Sequence, residues 1–182
     1  ERGLAGHSYA GLFAAYTPAQ APDLFDRDRI MSPALWCDNG KIYDVTTTGA
    51  ATEKASGFSE DRWQAALYSD RLFFVNGTDT PQVYDGSTVA GIAWAGTGLT
   101  NTNLVNVALV RNRLWFCEKN KAHVWYGAVG QITAASNLTK FQLEQIAGGG
   151  YCMAVGSWSR DAGDGADDMT VFVMSTGEII IY

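Results

Sequence analysis

"ALYSDRLFFV" at residues 66–75 and "ALVRNRLWFC" at residues 108–117 are the stretches that decide the fold. Ala, Leu, Arg, Leu and Phe coincide at five positions, Asp70 faces Asn112, Phe73 faces Trp115, and the offset is 42 residues. Each stretch is apolar on both sides of a polar dipeptide, Ser69-Asp70 or Arg111-Asn112. That pattern predicts two strands joined by a tight turn. Each copy then continues through a polar turn into a further short strand, "NGTDTPQVYDG" or "EKNKAHVWYG", ending in Tyr84-Asp85-Gly86 or Tyr126-Gly127.

Two looser copies flank this pair. "ALWCDNGKIYDV", residues 34–45, reads as strand, Asp-Asn-Gly turn, strand, and "MTVFVMSTGEIIIY", residues 169–182, as strand, Ser-Thr-Gly turn, strand. Asn and Gly supply at low cost the positive φ that type I′ turns require. Helical periodicity is weak, except for a short helical turn expected over Ser59–Ala66, "SEDRWQAA". The expected fold is therefore all-β, built of antiparallel meander repeats of about 40 residues, the period of a β-propeller blade. A propeller typically closes with four or more blades, and three to four partial units are visible here. A Greek-key β-sandwich is the alternative, and it does not predict the 42-residue self-similarity.

The expected organisation is an N-terminal extension or first partial strand unit over residues 1–30, then a propeller-like repeat domain over 31–182. Its units lie near 34–45, 66–86, 108–127 and 154–182. A chain that starts without Met and stops at "EIIIY", inside an expected strand, reads as a domain cut from a longer polypeptide.

The last unit differs from its sisters at one point. "AVGSW", residues 154–158, takes the place of the first strand and "MTVFV" that of the second, and between them stands "SRDAGDGADD", Ser159–Asp168. This acidic stretch is read as an insertion at a hairpin tip, an interaction loop carrying Arg160, Asp161, Asp164, Asp167 and Asp168. Calcium is its minority reading, with Asp161, Asp164, Asp167 and Asp168 as ligands. The EF-hand pattern fails, because Gly163 and Gly165 fall where oxygen ligands belong. "AGDGADDMT" meets the calcium β-roll nonapeptide except at its first Gly, but that roll works by stacking tandem copies. A solvent-exposed or partner-facing hairpin is the leading reading, with no metal assigned.

No catalytic constellation stands out. Neither His7 nor His123 belongs to a cluster with metal spacing, and no nucleophile elbow or phosphate loop occurs. Cys37, Cys117 and Cys152 are an odd set without a C-x-x-C pair, each among apolar neighbours, and read as small buried hydrophobes. Trp36, Trp115, Trp125 and Trp158 fall in expected strands, where core packing is the default. Trp63 and Trp94 are the better surface candidates. No enzyme activity and no cofactor are expected. The net charge of −6 disfavours nonspecific nucleic-acid binding, which needs clustered cations. No apolar run approaches the roughly 20 residues that span a bilayer.

"RLFFVNGTDTPQVYDG", "NRLWFCEKNKAHVWY" and "GGYCMAVGSWSRDAGDGADDMTVFVMSTGEIIIY" together resemble the β-rich, propeller-like proteins of tailed bacteriophages encoded with tail and head-completion genes. These include the packaged-DNA-stabilisation proteins, which sit as a ring between portal and tail needle. The resemblance covers Leu67–Tyr182. It implies a virion structural protein of the head-to-tail connector or tail, which closes the head and stabilises packaged DNA through protein–protein contacts. It further implies a ring-shaped homo-oligomer, portal or tail subunits as partners, neither cofactor nor direct nucleic-acid contact, and assembly in the host cytoplasm. Charged residues are only 18% of the chain and aromatics 12%, which suits subunit packing. Two rivals remain: a carbohydrate- or receptor-binding propeller using Trp63 and Trp94, and a glycosidase-like propeller.

Overall fold

The computed structural model describes residues 30–32, 35–45, 50–161 and 166–182. Among these the fold is all-β, with four antiparallel sheets, none closed into a barrel, and no α-helix. The helical turn expected over Ser59–Ala66 is absent, since Gln64 already opens a strand. The chain divides into two compact units, Glu1–Arg62 and Trp63–Tyr182, a boundary inside the expected 31–182 repeat domain. Apart from Ile30, the expected 1–30 extension lies outside the described residues.

The first unit carries one meander, β1 (Ile30–Ser32), β2 (Leu35–Asp38), β3 (Lys41–Asp44) and β4 (Thr52–Ser56), paired in that order. Asn39 and Gly40 both take positive φ, 51° and 69°, so the expected Asp-Asn-Gly turn is a two-residue type I′ connection. Gly40 is required there twice over, because a Cβ would also stand 2.3 Å from the Phe58 carbonyl oxygen.

The second unit holds the other three sheets. β5 (Gln64–Tyr68), β6 (Arg71–Val75), β7 (Gln82–Tyr84) and β8 (Val89–Gly91) form one meander. β9 (Leu104–Val110), β10 (Arg113–Glu118), β11 (His123–Tyr126) and β12 (Thr139–Gln142) form the next. β13 (Cys152–Asp161), β14 (Ala166–Met174) and β15 (Ile179–Ile181) make a three-stranded last sheet. The two near-identical hairpins are β5–β6 and β9–β10. Their turn residues have φ of 49° and 58° at Ser69-Asp70, and 48° and 60° at Arg111-Asn112. These are type I′ turns at matching positions.

The sheets of this unit pack on one another in sequence order, with β5 against β9 and β9 against β13. The "RLWFC" of β10 explains the layering. Leu114 and Phe116 belong to a core shared with Phe73 and Val75 of β6. Trp115 and Cys117, one residue out of phase, belong to a second core with Val155 of β13 and Phe172 and Met174 of β14. Alternate residues of a strand point to opposite faces, so a continuous apolar run means a strand covered on both sides.

Two expectations about tryptophan are overturned. Trp63 and Trp94, taken as surface aromatics because they lie outside the expected strands, are 7% and 3% exposed. Trp63 sets its ring edge-on to Phe74 at 5.2 Å, and Trp94 sits between Phe73 and Phe116 at 6.0 and 5.5 Å. Loop aromatics here cap the sheet cores. Trp158, taken as core, is 58% exposed. It pairs with Met169 on the outward face of the last sheet.

Candidate functional site

The acidic stretch is strand for most of its length. The β13–β14 ladder continues through Ser159↔Asp168, Arg160↔Asp167 and Asp161↔Ala166. Only residues 162–165 separate the two strands, and Asp164 is outside the described residues. The expected inserted loop is thus a lengthened hairpin, in which the register places Arg160 opposite Asp167. β13 runs 10 residues and β14 runs 9, against 5 each for β5 and β6.

Asp168 marks where the extension leaves the body of the unit. Its carboxylate accepts a hydrogen bond from the Ser159 hydroxyl, and its backbone carbonyl accepts one from Nε of Arg111. Arg111 belongs to the turn of the sister hairpin β9–β10. That turn is itself held from the other side, because the Tyr68 hydroxyl donates to the Asn112 carbonyl at 2.9 Å. Successive hairpin tips are therefore linked in a row, β5–β6 to β9–β10 to β13–β14.

Of the proposed calcium ligands, only Asp168 has a described side chain, and it is engaged by Ser159. Among the described residues, no group of three or more His, Cys, Asp or Glu side chains stands close enough to hold a metal.

The outward face of the last sheet adjoins this hairpin. Register places Trp158 opposite Met169, Gly156 opposite Val171 and Ala154 opposite Val173, with Val171 and Val173 in turn opposite Ile181 and Ile179. Val155, Phe172 and Met174 alternate with these and turn into the core. Ile179 is 62% exposed, Ile181 is 50% exposed, and Val173 and Met153 are also open. The result is a contiguous apolar strip on one sheet face, bordered by the acidic hairpin. Patches of this kind on a folded surface mark interaction sites.

One polar cluster in this unit has no counterpart in the sequence reading. Glu118, at the end of β10, is 1% exposed. One of its oxygens accepts from Nε1 of Trp125 at 2.8 Å and from Nε2 of His123 at 3.2 Å. The other accepts from the Thr100 amide at 3.3 Å. Nδ1 of His123 stands 3.7 Å from Glu144, and its ring meets Trp125 edge-on at 5.5 Å. A buried carboxylate persists only with such donors around it. The cluster joins the β10–β11 bend to the segment before β9, and every described contact it makes is internal. The alternation His123-x-Trp125 was its one legible signal, since the two residues share a strand face.

No helix among the described residues is long and apolar enough to cross a membrane. Comparison of the chain with protein-family models and with curated proteins gave no match.

Proposed function

We propose that this chain is a β-propeller-like structural domain of a phage tail or head-completion protein. It acts as a subunit of a ring-shaped connector that closes the head and stabilises packaged DNA through contacts with portal or tail subunits. The observation that carries this reading is the apolar outer face of the last sheet, with Trp158, Ile179 and Ile181 open beside an acidic hairpin. Such a face suits burial against another β layer, and interfaces favour aromatics while excluding charge from their centre. The propeller-like arrangement draws support from the repeated meanders and from β5, β9 and β13, each the first strand of its sheet, lying side by side. The acidic balance, with a net charge of −6, would let such a ring line a DNA passage without adhering to it.

The test is assembly of the purified chain, followed by sedimentation and electron microscopy. Concentration-dependent rings that are lost in an Ile179→Asp, Ile181→Asp variant of unchanged circular dichroism are the expected result. A chain that stays monomeric at every accessible concentration, or that binds DNA tightly in low salt, overturns the reading. The carbohydrate-binding alternative has lost the sugar contacts it rested on, because Trp63 and Trp94 are buried. The exposed Trp158, which that alternative did not use, offers it a new contact, and selective binding on a glycan array would favour it.

A further inference from the structure

Cys117 is the penultimate residue of β10 and Cys152 opens β13, so the two lie on different sheets and 35 residues apart in sequence. Their Sγ atoms are nevertheless 3.4 Å apart, and both side chains are buried. A disulfide needs the sulfurs at about 2.05 Å, a closure of little more than an ångström if the Cβ atoms approach. The surroundings hold both partners in register. The Cys152 amide donates to the Lys121 carbonyl at 2.9 Å, and the Val155 amide donates to Oδ1 of Asn106 on β9 at 3.0 Å. Around the pair lie Trp115, Val124 and Phe172, which fill the core between the two sheets.

We propose that Cys117 and Cys152 form a disulfide site that locks the last sheet onto the sheet before it when the protein meets an oxidising environment. The proposal is independent of the function given above. The oxidant is a small-molecule disulfide such as glutathione disulfide. Cys152 is the attacking sulfur. The hydrogen bond from Cys117 holds its thiol below the ordinary value, whereas that same contact and then burial hold Cys117 well above it. The Cys152 thiolate attacks one sulfur of the oxidant, whose S–S bond breaks, and one glutathione leaves as thiolate and takes up a proton. Cys117 then loses its proton and attacks the Cys152 sulfur of the mixed disulfide, expelling the second glutathione, which is protonated in turn. Two protein thiols are oxidised to one disulfide, and one glutathione disulfide is reduced to two thiols. Because both sulfurs are buried, the exchange proceeds during folding or through local opening of the seam between the sheets.

The test uses the full chain, incubated with glutathione disulfide both in its folded state and during refolding, then alkylated in denaturant and digested with trypsin. The expected product in at least one arm is a species joining the peptide Leu114–Lys119 to Phe141–Arg160, with alkylation confined to Cys37. Its Tm should exceed that of the dithiothreitol-reduced chain by roughly 5–15 °C, the effect of closing a loop of this length in a domain of this size. Alkylation of all three cysteines in both arms overturns the proposal. So does linkage through Cys37, or a Cys117–Cys152 bond that leaves Tm unchanged. The variants Cys117→Ala and Cys152→Ala serve as a second reading. Each, if folded, should lose both the linked species and the response of Tm to reductant.

Discussion

The sheet β9–β12 and the sheet β13–β15 are built to the same plan but end in different environments. In the first, both faces of β10 are covered, Leu114 and Phe116 by one neighbour and Trp115 and Cys117 by the other. In the second, Phe172 and Met174 are covered while Val173, Ile179 and Ile181 on the opposite face are open. The chemistry of the two outward faces is alike, apolar and aromatic. What differs is whether a further layer lies on them. The open face therefore has the composition of a packed surface, which is why it is the natural place for a partner.

The sharpest way to break this comparison is to truncate one tryptophan from each sheet. Trp115 touches Tyr126, Phe141 and Phe172, with ring centroids 4.8 to 5.9 Å away. Trp115→Ala should destabilise the chain by about 3–5 kcal/mol, since the cavity cannot collapse between two sheets. Trp158→Ala should change the stability of the isolated chain by no more than about 0.5 kcal/mol, as expected of an exposed position. Chemical denaturation of both variants decides the matter. If Trp158→Ala is as costly as Trp115→Ala, the outer face is already covered in solution.

A second, smaller effect belongs to the polar cluster around Glu118 in the middle sheet. Glu118→Ala leaves the Trp125 indole N–H without its acceptor in a buried site, and removes the bond to the Thr100 amide. A loss of about 2–4 kcal/mol follows from stranding a buried donor and emptying the volume. Glu118→Gln keeps a carbonyl oxygen and the shape, so it should recover a good part of that loss. Equal losses in the two variants would show that the charged carboxylate with both its oxygens, rather than volume, holds the β10–β11 bend.

How much of this was legible follows strand parity and chain separation. The hairpins β5–β6 and β9–β10 were readable, because both their apolar runs and their two-residue turns repeat at the same spacing. Their outermost strands were not. β8 is "VAG" and β12 is "TKFQ", segments too short for an alternating pattern to register, which become strands by pairing with β7 and β11. Trp158 was misread because occupying a strand says nothing about which face a residue takes, and Trp63 and Trp94 because loops can fold back over a core. The acidic hairpin was located correctly as the point where the last unit departs from its sisters. Its extension by pairing rather than by loop needed the register. The approach of Cys117 and Cys152 was beyond reach, since it joins two sheets.

A third variant exploits the turns that the two sister hairpins share. Ser69 and Asp70 hold positive φ without being Gly, a conformation that costs a side chain roughly 1 kcal/mol. Replacing Ser69-Asp70 by Asn-Gly should stabilise the chain by about 0.5–1 kcal/mol. The same change at Arg111-Asn112 should gain less, because it removes the Arg111 hydrogen bond to the base of the acidic hairpin. Equal gains at both turns would mean that the bond contributes nothing measurable.

The smallest expected effect separates the outer turns of the same two sheets. After β7, the Asp85 carboxylate accepts from the Thr88 amide at 2.7 Å and the Ser87 amide at 2.9 Å. After β11, a neutral amide does the equivalent work: Oε1 of Gln131 accepts from Ala128 N at 2.8 Å. The backbone bonds from Thr88 and then Ser87 hold the Asp85 carboxyl below the ordinary aspartate value of 3.8. A carboxyl whose folded value is depressed stabilises the fold above its unfolded value, and that contribution fades as pH falls through the folded one. The window therefore lies below pH 3.8. Hydrogen-exchange protection at Ser87 and Thr88, corrected for intrinsic rates, should fall across that window while Ala128 holds steady. In Asp85→Asn the pH dependence at the first turn should vanish, since an amide oxygen can accept the same bonds without titrating. Parallel loss of protection at both turns would instead report global acid unfolding, and would remove the distinction between them.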